Sequence, residues 1–122
     1  MRERILDRRG QQRRHLVFYL DVFDAETGAI LGQLGDITTG GMLLISDSPL
    51  AIKEEGELRS LKVMLPKAGG FTGGELIVRV KTCWTSPDFN PDLYCTGFQY
   101  VDPDDELFLI VNRLIGLLGF RE

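Results

Sequence analysis

The sequence predicts a mainly β protein, a small antiparallel (split) β-barrel of about six strands with one C-terminal α-helix packed on it. Three observations carry this reading. Apolar residues alternate with polar ones in several short stretches between residues 15 and 101, the pattern of strands buried on one face. Turns rich in Gly, Pro and Asp separate those stretches. Beyond residue 102 the apolar spacing changes to three and four, the period of a helix lying on a core.

The elements follow in order. In His15–Phe23, the residues Leu16, Phe18, Leu20 and Val22 share one face, and His15, Tyr19 and Asp21 the other. Asp24–Gly28 reads as a hairpin loop ending in glycine. A second strand runs from Ala29 to about Leu34, Asp36–Gly41 interrupts it, and Met42–Ile45 resumes. Ser46–Gly56 is a polar connection containing Pro49. Glu57–Leu65 places Leu61, Val63 and Leu65 on one face, and Pro66–Gly74 is a glycine-rich loop. Glu75–Trp84 puts Leu76, Val78, Val80 and Trp84 on the apolar side, so Trp84 is expected in the core. Ser86–Asp92, with two prolines, is a turn, and Leu93–Val101 is the last strand. Asp102-Pro103-Asp104-Asp105-Glu106 combines capping acids and a proline, a helix start. Leu107, Ile110, Val111, Leu114, Leu117 and Leu118 follow at helical spacing, widened by Phe108 and Ile115. The expected organisation is one domain over residues 1–122: an arm (1–14), a barrel (15–101) and a helix (103–119).

Composition narrows the function classes. At 122 residues, 43% hydrophobic and 26% charged, the chain can bury a core without metals or disulfides. No apolar run approaches the roughly 20 residues that span a bilayer, and Met1–Asp7 lacks the apolar centre of a signal peptide. The expectation is a cytoplasmic protein that does not insert in membranes. Cys83 and Cys95 are too few for a disulfide framework and unsuited to a zinc site, and are expected as reduced thiols. If Trp84 faces Tyr94 across the turn, the two cysteines form the next cross-strand pair.

Charge is unevenly spread. Residues 1–14 hold Arg2, Arg4, Arg8, Arg9, Arg13 and Arg14 against Glu3 and Asp7, a net +4; the rest carries −8, for −4 overall. An acidic body argues against DNA or general nucleic-acid binding, which needs a basic face. Arginine alone supplies the arm's cations, and its planar fork suits phosphates and guanine edges. With only Met1, Ile5 and Leu6 as apolar anchors, the arm is expected to be mobile alone and ordered by an anionic ligand. Catalysis is not expected. The single histidine, His15, lies in a strand pattern, Cys83 has no base nearby in sequence, and no hydrolase, zinc-protease or Walker motif occurs.

Two motifs remain. Arg9-Gly10-Gln11-Gln12-Arg13 is an Arg-x3-Arg pair flanked by Arg8 and Arg14, and Asp36-Ile37-Thr38-Thr39-Gly40-Gly41 supplies Asp-x-Thr-x-x-Gly. In this order and spacing they resemble the PilZ family, whose signature is Arg-x3-Arg followed, one hairpin later, by Asp/Asn-x-Ser-x-x-Gly. The Trp84 strand, the Gly97-Phe98 strand and Asp102-Pro103 leading into an apolar helix extend the likeness over nearly the whole chain. The resemblance implies a receptor for the bacterial second messenger cyclic di-GMP, with no cofactor and no metal. Its ligand-binding residues would be Arg8, Arg9, Arg13, Asp36, Thr38, Gly40, Gly41 and Trp84. Thr38 stands where the family commonly has serine; it keeps the hydroxyl and adds a methyl group.

The ligand's chemistry fits independently of the name. It presents two phosphates and two guanines. A guanidinium meets guanine O6 and N7 with two parallel bonds, and a carboxylate such as Asp36 accepts from N1–H and N2–H2 at the opposite edge. Gly40 and Gly41 would permit unusual torsions and close ligand approach. A stand-alone receptor would act by changing shape and meeting a downstream protein partner. The competing readings are a PilZ-type protein-interaction adaptor that does not bind the nucleotide, and a single-stranded nucleic-acid barrel. The second needs a basic aromatic groove, which the acidic body disfavours.

Overall fold

The computed structural model describes residues 20–51 and 56–118. The Arg-rich arm, the first half of the expected first strand and the ligand residues Arg8, Arg9 and Arg13 lie outside the described residues.

Six strands close into an antiparallel barrel: β1 (Asp21–Asp24), β2 (Ile30–Ile37), β3 (Gly41–Ser46), β4 (Leu58–Met64), β5 (Glu75–Pro87) and β6 (Tyr94–Tyr100). Their order around the barrel is β1-β2-β3-β6-β5-β4, with β1 pairing back onto β4. The barrel with one C-terminal helix is the architecture the alternating pattern predicts. Alternation also sets what is inside. Val22, Leu34, Leu44, Leu61, Val63, Val78, Val80 and Phe98 fill the interior, one from every second position of their strands. The Asp24–Gly28 loop closes as expected: Asp24 Oδ1 accepts from the Glu26 and Thr27 amides at 2.8 and 3.0 Å, and Gly28 takes a φ of 80°.

The helix α1 (Asp105–Leu118) plugs one end. Asp104 caps it, its Oδ1 accepting from Leu107 N–H at 2.9 Å. Val111, Leu114 and Leu118 enter the barrel core. The β4–β5 loop holds the outer side of the helix: Gly69 backs onto Leu117, and the Arg113 guanidinium lies 5.6 Å from the centre of the Phe71 ring.

The register shifts at three places, one of them between Val22 and Phe23 in the β1–β2 pair, and the other two bear on the site. At Gly35 the β2–β3 register shifts, Leu34 pairing with Leu44 and Asp36 with Leu43. The ladder therefore runs on to Ile37, past the expected end near Leu34. At Cys83 the β5–β6 register shifts, Thr82 pairing with Phe98 and Trp84 with Gly97. An inserted residue inverts the faces beyond it. Thr82 is buried, but Trp84 emerges on the outer face, 47% exposed. Trp84 is thus not a core residue, contrary to its place in the alternation. The expected cysteine pairing fails for the same reason. Cys95 pairs with Ser86, and Cys83 is the extra residue of the bulge. Neither cysteine forms a disulfide, and Cys95 Sγ donates to Asp88 Oδ1 at 3.0 Å.

Leu114 is fully buried where helix meets barrel. Leu114→Ala is expected to lower unfolding free energy by about 2–5 kcal/mol, read from the midpoint of urea denaturation. Ala at Leu109, 68% exposed on the same helix, should change it by less than about 0.5 kcal/mol.

Candidate functional site

The β2–β3 turn is built around one hydroxyl. Thr38 Oγ1 accepts from the Gly40 and Gly41 amides at 3.1 and 3.2 Å and donates to Gly41 C=O at 3.4 Å. Thr38 N–H also donates to Gly41 C=O at 2.9 Å. The serine-like hydroxyl at this position is therefore a turn-former, and the threonine methyl is tolerated because the turn is exposed. One residue ahead of Ile37, Asp36 is half-buried and its Oδ1 accepts from Ile37 N–H at 2.8 Å.

The turn is tied down from β6. Tyr100 O–H donates to Thr38 C=O at 3.1 Å, and Tyr100 N–H to Gly40 C=O at 3.2 Å. Burial pushes the Tyr100 hydroxyl pKa upward, so it stays a donor at neutral pH. Sequence reasoning missed this residue, because its partner lies 62 positions away.

Gly40 and Gly41 are constrained differently from expectation. Neither takes a positive φ, so unusual torsions are not their reason. A Cβ at Gly41 would lie 1.9 Å from the Phe98 carbonyl oxygen, so only glycine allows β3 to approach β6 there. A Cβ on Gly40 would meet only Thr38 Oγ1, at 3.8 Å. Sequence analysis also passed over the function of Gly97. The Trp84 indole lies across it, and a Cβ there would come within 2.5 Å of Cε2 and Nε1. Cys83 creates the bulge, Gly97 provides the seat, and together they turn the tryptophan outward.

These pieces share one shallow depression of about 330 Å³ on the barrel surface, lined by Asp36, Thr38, Gly40 and Gly41 on one side and by Trp84 and Gly97 on another. Five of the eight sequence-predicted ligand residues thus come together; the other three, Arg8, Arg9 and Arg13, lie outside the described residues. An exposed indole beside a carboxylate offers a stacking face and an acceptor for an aromatic donor edge. Among the described residues no group of His, Cys, Asp and Glu could hold a metal ion, and no helix is long and apolar enough to cross a membrane.

The glycines give a test. Gly41→Ala should cost about 3 kcal/mol or more, since the obstacle is backbone, while Gly40→Ala should stay within about 0.5 kcal/mol. Gly97→Ala should displace the indole and shift Trp84 emission. Thermal denaturation and fluorescence of the three variants check these outcomes.

No family model matches the sequence, and no curated protein matches it. Solved structures do resemble it. The PilZ domain with c-di-GMP of YcgR from Escherichia coli superposes with a TM-score of 0.58 at 15% identity, over 82% of this chain and 80% of that one. The Borreliella burgdorferi PlzA protein in complex with c-di-GMP gives a TM-score of 0.50 at 13% identity, over 95% of this chain and 56% of that one. The chain therefore spans little more than half of the PlzA chain. At these identities the likeness is one of architecture: the closed barrel and its C-terminal helix have the fold of the PilZ domain.

Proposed function

We propose that the chain is a receptor for cyclic di-GMP, without catalytic activity, and that it signals to a partner protein by changing shape on binding. One observation carries the reading. The Asp36–Gly41 turn and the outward Trp84, far apart in sequence, line the same depression. Both structural neighbours are described with this ligand, which supports the choice.

In this reading Arg9 and Arg13 grip phosphate and the guanine O6/N7 edge, with Arg8 adding charge. Asp36 accepts from a guanine N1–H and N2–H2 edge. Trp84 offers its ring to a purine face. Thr38 acts by holding the turn, because its hydroxyl already accepts two amides, and Gly40 and Gly41 keep the surface free of side chains. The arm brings positive charge to a ligand with two phosphates and to an acidic body, and closes over the depression when the ligand is present. The complex of arm, ligand and barrel is the altered surface a partner would read.

Calorimetric titration with cyclic di-GMP, with GTP and cyclic GMP as controls, tests this. Saturable binding of cyclic di-GMP alone is expected. Arg9→Ala or Arg13→Ala should weaken it at least tenfold, since a charge-assisted bond contributes about 1.5–3 kcal/mol and about 1.4 kcal/mol is a factor of ten. Absence of binding heat with the unaltered chain would favour a PilZ-type adaptor that binds protein alone.

A further inference from the structure

β5 is 13 residues long, and its two neighbours cover it unequally. β4 pairs with it from Glu75 to Lys81, whereas β6 pairs with it only from Val80 onward. The ladder fixes which backbone groups face the uncovered side. Thr82 N–H donates to Glu57 C=O on the β4 side, and Arg79 C=O accepts from Val101 N–H on the β6 side. Backbone groups point alternately left and right along a strand. Glu75 and Ile77, in step with Arg79, therefore aim their N–H and C=O away from β4. Among the described residues no strand pairs with them there.

The chain after β6 turns away instead of covering this edge. Asp102 takes a φ of 51°, a left-handed backbone uncommon outside glycine, and the chain passes through Pro103 into α1. The divergence leaves a wedge of about 560 Å³ between the β5 edge and the first turns of the helix. Leu58 and Ile77, 53% and 52% exposed, give it an apolar side, continued by Leu107 and Ile110. Asp102, Asp104 and Glu106 line its rim against one cation, Arg79.

We propose that this wedge is a docking site for an extended segment of a partner protein, in which apolar residues alternate with Lys or Arg, and which adds to β5 as a further strand. An uncovered strand edge is a template for main-chain pairing. Alternation places one set of side chains against the apolar lining and the other toward the acidic rim. The charge also selects against other occupants. A second copy of this chain would set its Asp102, Asp104 and Glu106 against the same three acids. Residues 1–14 carry positive charge, but their apolar residues, Met1 and the adjacent Ile5 and Leu6, do not alternate. The site stands apart from the nucleotide reading, since none of Asp36, Thr38, Gly40, Gly41 and Trp84 lines it.

A fluorophore-labelled heptapeptide of alternating lysine and valine, titrated into the full chain, tests the proposal by anisotropy and by amide hydrogen exchange. Saturable binding is expected, with new protection at the Ile77 amide and none for the same peptide carrying glutamate in place of lysine. Ile77→Pro removes the edge donor without touching the β4 ladder and should weaken binding at least tenfold. Should that variant fail to fold, Ile77→Asp, which leaves the backbone donor but spoils the apolar side, should do the same. Glu106→Lys should weaken binding severalfold. No saturable binding, equal binding by all variants, or equal binding of the glutamate peptide would overturn the proposal. So would an Ile77 amide already protected before peptide is added, whether by this chain's own residues or by a second copy in a dimer seen by sedimentation.

Discussion

The backbone contact between Gly41 and Phe98 is the constraint on which the rest depends. With no room for a Cβ at Gly41, β3 can lie against β6 in unbroken register from Gly41–Gln99 to Ser46–Tyr94. That pairing carries the β2–β3 turn to the end of β6, where Tyr100 can hold the turn by two hydrogen bonds. It also sets the turn one strand away from β5, whose Trp84 lies across Gly97 of the intervening β6. A side chain at position 41 would meet the Phe98 carbonyl and push the turn away from β6.

The barrel combines a packed interior with a ladder interrupted at Cys83. Up to Thr82, β5 feeds Val78 and Val80 into the core; past the bulge at Cys83 it faces Thr85 inward, to a hydroxyl contact with Thr96 at 3.1 Å, and Trp84 outward. Bulges re-aim side chains at the edges of binding surfaces, and here one extra residue makes an exposed aromatic platform out of a core position. At its other end β5 outruns β6 and leaves an uncovered edge. One long strand thus serves two surfaces, the depression at the β2–β3 turn and the wedge beside α1.

Much of this was legible in the sequence. The helix was, because Val111, Leu114 and Leu118 lie on a single stripe and the stripe is what meets the core. So was the Asp24–Gly28 loop, whose bonds are local. Asp36, Thr38, Gly40 and Gly41 fall within six residues of one turn, so that they lie together was legible locally. What failed depended on parity or on distant contacts. Alternation counts residues, so a bulge at Cys83 sent the prediction for Trp84 to the wrong face and the Cys83–Cys95 pairing to the wrong register. The glycine opposite Trp84 was the available clue, since a glycine in a strand often marks close approach. The reason for Gly41 lay in Phe98, and that for the turn's stability in Tyr100, neither of which local sequence contains.

Trp84 is the chain's single tryptophan, so its emission reports on the site directly. The account predicts a saturable change in Trp84 fluorescence on titration with cyclic di-GMP, with the same midpoint as calorimetry, that is absent with GTP and lost on Asp36→Ala. Unchanged Trp84 emission while calorimetry records saturable binding would place the ligand elsewhere and contradict the account.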